Sequence, residues 1–136
     1  MKVTLFDYGA GNLHSLMKAI AATGVEPIVE VDPVRAVETA VLVLPGVGAF
    51  EPAAARLAPG REVMRQALLG GLPCLGICLG LQLLFEGSDE GEGAGLGVID
   101  GRVTRIAATR LPQIGWNLIE EAREPSLMAI THGYYA

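Results

Sequence analysis

Two short uncharged runs constrain this chain more than any other feature. AVLVL at 40–44 and PCLGI at 73–77 each lead into a glycine-rich stretch, PGVG at 45–48 and Gly76-Ile77-Cys78-Leu79-Gly80. A continuous apolar run bounded by turn residues is what a strand buried on both faces requires. Such strands belong to parallel sheets covered by helices.

The intervening segments fit that frame. KVTLFD at 2–7 reads as a first strand. Asn12 is an N-cap, Leu13, Leu16, Met17 and Ile20 follow at helical spacing, and Gly24 closes the helix. Residues 25–31 read as a second strand, at an edge because of Pro27. Asp32-Pro33 is a cap with proline at the first helical position, so 34–39 is a short helix. An amphipathic helix over 61–69 ends at Gly70-Gly71, and a further helix over 79–86 follows the buried strand at 73–77. Residues 87–97, rich in Gly, Asp and Glu, form an exposed loop. Segments 98–106 and 118–119 are β-like. The alternation predicts one α/β domain over 1–136, with a mostly parallel sheet between helices on both faces. Ligands of such sheets lie beyond the carboxyl ends of the strands, where both glycine-rich stretches fall.

Composition excludes several classes. With a net charge of −5 and no basic stripe, a phosphate-binding nucleic-acid surface is not expected. Residues 66–85 carry no charge and are long enough to cross a bilayer, but Gly70-Gly71, Pro73, Gly76 and Gly80 break that stretch into helix end, strand and turn. No charged leader with an apolar core opens the chain, so a cytoplasmic location and no membrane contact are expected. Cys74 and Cys78 lack the two-residue spacing of a zinc or redox pair, and neither His14 nor His132 sits at metal-motif spacing, so no metal site is expected.

Gly76-Ile77-Cys78-Leu79-Gly80 fits the cysteine form of a nucleophile elbow. Only glycine fits beside so tight a bend, and the thiol then points into the cleft from a helix N-terminus, whose dipole favours a thiolate. The Leu79 N–H faces an oxyanion on an attacked carbonyl, and PGVG can supply a second donor. The alternative is a packed core cysteine with glycines that merely relieve crowding. Cys74, in the strand, reads as core. Gln82 lies one helical turn beyond Cys78 on the same face, where it is either a substrate contact or an ordinary helix glutamine. Glu86, Asp89, Glu90 and Glu92 form a solvated loop, one of whose carboxylates could hold an ammonium group. His14 reads as structural, and His132 is a possible base for the cysteine.

GICLGLQLLF together with PGVGAF resembles the class-I glutamine amidotransferases, whose fold is a flavodoxin-like three-layer α/β sheet. FDYGAGNLHSL, PQIGWN and HGYY narrow the resemblance to the glutaminases of imidazole glycerol phosphate synthesis, in order along almost the whole chain. The resemblance implies that Cys78 forms a γ-glutamyl thioester and that the N–H groups of Leu79 and Val47 form the oxyanion hole. It implies that Gln82 and Glu90 hold the polar ends of glutamine in a pocket lined by Gly46 and Gly48. It assigns Asn12, Pro112 and Trp116 to the surface facing a cyclase subunit, with no cofactor. His132 matches a family histidine that is not the catalytic base. The family's catalytic histidine and glutamate stand in a later His-Pro-Glu motif, which this sequence lacks. The expectation is therefore a glutaminase fold without its C-terminal portion and with poor turnover as a 136-residue chain. Two functions stand side by side: the glutaminase half of a two-subunit amidotransferase, and a non-catalytic docking protein of the same fold.

Overall fold

A computed structural model of the chain describes residues 1–9, 11–109 and 115, and the backbone of the strands at 117–118 and 134–135. Two compact units emerge, Met1–Arg105 and Ile106–Ala136.

The first unit is built on four parallel strands. They are β1 (Val3–Phe6), β2 (Pro27–Glu30), β3 (Val41–Leu44) and β4 (Cys74–Gly76), in the order β2-β1-β3-β4. Val3 pairs with Pro27 on one side and with Val41 on the other, and Leu44 pairs with Gly76. Alternation along the strands splits the core in two. Val3, Leu5 and Val43 face helix α1 (Leu13–Ala21). Phe6, Leu42 and Leu44 face the opposite layer, made by α2 (Phe50–Leu57), α3 (Arg61–Leu69) and the single turn α4 (Leu79–Gln82). Helices thus cover both faces, as the sequence predicts. Among the described residues no helix is long and apolar enough to cross a membrane, and the uncharged stretch 66–85 is divided between α3, β4 and α4.

Several local expectations change. Strand β4 is not buried: it lies at the sheet's border and Leu75 is 52% exposed. The helix expected at 34–39 shrinks to one 3₁₀ turn, Arg35–Val37. Asp32 does not cap that turn, whose N-cap is Val34; its carboxylate accepts from the Val34 N–H and its carbonyl from the Ala36 N–H, both at 2.9 Å. The chain is then pulled back to β1, because the Thr39 hydroxyl and the Ala40 N–H both donate to the Lys2 carbonyl, at 3.0 and 3.1 Å. Helix α2 was not expected from the sequence. Its Pro52 falls in the first turn, where the missing N–H costs no helical hydrogen bond.

Helix α4 ends at Gln82, well short of residue 86: the Leu84 and Phe85 N–H groups tighten onto the carbonyls of Leu81 and Gln82, three residues back, the Glu86 N–H leaves the helix for the Gly101 carbonyl at 2.9 Å, and the following carbonyls are met from outside. Leu83 O accepts from Leu96 N–H at 2.7 Å, Leu84 O from Val98 N–H at 2.9 Å, and Phe85 O from Gly97 N–H at 3.1 Å. The segment 87–97 is accordingly not an exposed loop throughout. Leu96 is fully buried, and β5 (Gly87–Ser88) pairs in parallel with β6 (Arg102–Val103). In the second unit, β7 (Asn117–Leu118) runs antiparallel to β8 (Tyr134–Tyr135).

Candidate active site

Two neighbouring strands deliver two loops to one place. The Leu44 carbonyl accepts from the Ile77 N–H at 3.0 Å, so β3 and β4 stay paired up to the bend. A Cβ placed on Gly46 lands on the Ile77 carbonyl and 2.6 Å from the Leu79 nitrogen. One placed on Gly80 lands on the Leu44 carbonyl, and one on Gly76 comes within 2.9 Å of the Leu81 backbone. Contacts this close are open only to glycine, so three glycines of the two stretches are set by backbone-to-backbone packing. The loop at 45–48 therefore lies directly against the turn at 77–79.

Cys78 sits on that turn with φ +50° and ψ −107°, the one non-glycine residue with positive φ among the described residues. A β-carbon in this region costs about 1–3 kcal/mol and persists only where the surroundings enforce it. Here they do. Leu79, next in the chain, is buried with Phe6, Leu44 and Phe50 and anchors the bend, while Cys78 is turned outward and exposed. The arrangement is the strained strand-to-helix turn that presents a nucleophile. Because α4 is a single turn, its dipole is smaller than the expected eight-residue helix supplies.

Two backbone N–H groups of the packed loops have no backbone acceptor among the described residues. Leu79 opens α4, so its N–H has no acceptor within the helix. Neither it nor the Val47 N–H enters a backbone hydrogen bond among those of the described residues. Val47 is exposed, and Gly48 has φ +125°, a conformation that favours glycine. Gln82 is half-buried one turn beyond Cys78, its N–H donating to the Cys78 carbonyl at 3.1 Å.

The acidic segment comes close through its backbone. A Cβ on Gly91 is 2.9 Å from that of Glu51, in the first turn of α2, immediately after the glycine loop. Glu90 is exposed, and its N–H donates to the buried Ser88 hydroxyl at 3.1 Å. At the same sheet end, Asn12 caps α1 by accepting from the Ser15 N–H at 3.2 Å. A Cβ on the adjacent Gly11 is 3.6 Å from Pro45. His14 is exposed on α1. Pro112, Trp116 and His132 lie outside the described residues.

Two neighbours differ sharply from Cys78. Cys74, on β4, is half-buried, and burial pushes its thiol up to about 11. Tyr8, beyond the end of β1, was not singled out from the sequence. It is buried, and its hydroxyl has no hydrogen-bond partner among the described residues. Burial, and after it the nearby Cys78 charge, hold its phenol well above the ordinary range. The signal that could have found it is its position two residues beyond a buried strand's carboxyl end, where ligand-facing groups of parallel sheets collect. Among the described residues no group of three His, Cys, Asp or Glu side chains is placed to hold a metal ion.

Comparison with known proteins gives a consistent picture. The sequence profile of the family Glutamine amidotransferase class-I matches residues 4–134. The chain is 46% identical over 124 residues to the imidazole glycerol phosphate synthase subunit HisH of Synechococcus elongatus, covering 88% of this chain and 57% of that protein. It is 46% identical over 132 residues to the protein of that name from Symbiobacterium thermophilum, covering 94% of this chain and 62% of the relative. With the Thermus thermophilus protein of that name the identity is 43% over 139 residues, covering 100% of this chain and 70% of the relative. The chain thus spans roughly three fifths of the first two relatives' length.

Proposed function

Because the chain belongs to the class-I glutamine amidotransferase family, we propose that it supplies the glutamine-hydrolysing site of an imidazole glycerol phosphate synthase subunit. The observation that carries the reading is Cys78 exposed at φ +50° on a turn against which Gly46 packs. The Cys78 sulfur attacks the side-chain carbonyl carbon of glutamine. The carbonyl oxygen becomes an oxyanion and accepts hydrogen bonds from the Leu79 and Val47 N–H groups. Collapse breaks the carbon–nitrogen bond, the nitrogen leaves as ammonia carrying the proton that the thiol gave up, and a thioester remains. Water then cleaves the thioester to glutamate and regenerates the thiol.

In this reading Gln82 and Glu90 hold the polar ends of glutamine, and Gly46 and Gly48 leave room for its chain. The Glu90 carboxylate meets the substrate ammonium by charge. The ammonia passes to a cyclase subunit, which docks on a surface that includes Asn12, Pro112 and Trp116. The support is the resemblance of those motifs together with the likeness to relatives named as imidazole glycerol phosphate synthase subunits. The setting is a cytoplasmic heterodimer, and the reading treats 1–136 as one amidotransferase domain.

The test is covalent labelling by a glutamine analogue that carries an electrophilic carbon in place of the carboxamide, followed by mass mapping. Selective modification of Cys78 at pH 7, suppressed by excess glutamine, is expected. Modification no faster than that of free cysteine, with no protection by glutamine, overturns the glutaminase reading in favour of a docking protein of the same fold.

A further inference from the structure

Four carboxylates lie between 86 and 92, and their surroundings set them apart. The Glu86 carboxylate accepts from the Gly101 N–H at 3.2 Å. Asp89 pairs with Arg102, Oδ1 to Nε at 3.6 Å. Glu92 shares a cavity beside α2 with Arg61, whose cation disfavours an ammonium there. Glu90 is exposed, and its carboxylate enters no hydrogen bond or ion pair among the described residues.

The backbone that carries Glu90 is tied down on every side. Ser88 and Gly91 are bridged antiparallel, which puts Asp89 and Glu90 at the tip of a two-residue turn. The Glu90 N–H donates to the buried Ser88 hydroxyl at 3.1 Å, and the Asp89 N–H to the Val103 carbonyl at 2.9 Å. Gly91 backs onto Glu51 in the first turn of α2. That helix follows the loop packed on the Cys78 bend, so the turn stands at the sheet end that carries the sulfur. Arg102 completes the ties. Its Nη2 donates to the Ser88 carbonyl at 3.0 Å while Nε meets Asp89. Gly87 makes room for it: the three atoms nearest a Cβ placed there all belong to the Arg102 guanidinium, with Nη1 at 2.5 Å. An exposed ion pair adds little to global stability. What the guanidinium supplies is geometry, because one planar fork fixes a carbonyl and a carboxylate of the same turn.

We propose that Arg102 is a positioning residue for substrate recognition. It sets the turn at 88–91 so that Glu90 presents its carboxylate, and it occupies Asp89, the other acid at the tip. A single negative charge is then left to meet the α-ammonium group of glutamine. The inference deepens the glutaminase reading and rests on it, through the assignment of Glu90 to that ammonium. Folding has already ordered the turn, so binding does not have to. A carboxamide without an ammonium gains nothing from it. Selectivity for an α-amino acid over a plain amide therefore resides in Arg102 and Gly87 as well as in Glu90.

The experiment follows the labelling rate of Cys78 against the concentration of two electrophilic glutamine analogues. They differ only in the α-amino group, which one carries and the other replaces with hydrogen. Arg102→Met is expected to raise the half-saturating concentration of the amino analogue about fivefold, with its limiting rate and the des-amino analogue unchanged. Gly87→Ala gives the same shift by displacing the guanidinium without removing it. Glu90→Gln sets the ceiling, about tenfold or more, again on the amino analogue alone. Equal shifts for both analogues, or no shift with the fold intact by circular dichroism, overturn the proposal. Should Arg102→Met not fold, Arg102→Lys decides, since it keeps the charge and loses the fork. A shift confined to the amino analogue supports the proposal, and no shift overturns it. Should the parent chain label with neither analogue, the glutaminase reading falls and amide exchange judges the turn without ligand. Faster exchange at Asp89 and Glu90 in the Arg102 variant, with β3 amides unchanged, leaves Arg102 standing as the residue that sets the turn. Unchanged exchange overturns the proposal.

Discussion

Cys74 and Cys78 lie four residues apart and share one stretch of chain, yet their surroundings oppose each other. Cys74 sits in an extended strand, half-buried, with its thiol pushed up to about 11 by desolvation. Cys78 sits on a left-handed bend and is exposed. Neither difference comes from residue type. It comes from the glycines that allow the chain to turn between them, and from the buried Leu79 that holds the turn. Reactivity here is a property of backbone path.

The sharpest way to break this contrast is to delete one sulfur at a time. Cys78→Ala is expected to abolish labelling by a glutamine-like electrophile, and Cys74→Ala to leave it intact, with mass mapping as the readout. Labelling lost with Cys74 instead inverts the comparison. Next in size is the backbone contact beneath the bend. Gly80→Ala forces a Cβ onto the Leu44 carbonyl and is expected to destabilise by about 3 kcal/mol or more, measured by urea unfolding. Gly9→Ala is the control: φ is +82° but nothing lies within 4 Å, so only the left-handed penalty of about 1–2 kcal/mol applies. Equal losses at the two glycines refute the claim that close approach sets Gly80.

Relieving the strain at the nucleophile gives a smaller effect of opposite sign. Cys78→Gly is expected to raise stability by about 1 kcal/mol in the same assay, because glycine adopts φ +50° without a Cβ penalty. Smallest is the pH dependence of Cys74. Its folded thiol holds its proton more tightly than the unfolded one. Its contribution to stability is therefore fully present below pH 9 and is lost as pH rises through about 11. Urea midpoints of Cys74→Ala should fall less steeply over that window than those of the parent chain.

Much of this architecture was legible in the residues. Unbroken apolar runs located β3 and the region of β4, Asn12 marked a helix start that its hydrogen bond bears out, and Gly24, two residues past the cap at Ala22, takes the positive φ of a glycine that ends a helix. The misses share a cause. Whether a run is buried depends on its place in the sheet, which local pattern does not encode, and so PCLGI became an exposed border strand. Helix α4 stops early because the Glu86 amide goes to the Gly101 carbonyl and amides from 96–98 dock on the carbonyls of 83–85, long-range facts with no local sign. The glycine pattern around Cys78 indicated a bend. That Gly46 packs on the amide beside the sulfur needed three dimensions, as did the unpaired Tyr8 hydroxyl.

The two border strands have a practical consequence. Ile28 and Val29 on β2 are each 40% exposed, Val31 just beyond it is 65% exposed, and Leu75 on β4 is 52% exposed. Aliphatic rims on parallel strands are adhesive toward other copies, and a net charge of −5 is the force that keeps copies apart. Concentrated stocks should therefore be kept at low ionic strength and well above the isoelectric point near 4.9, where turbidity will be least.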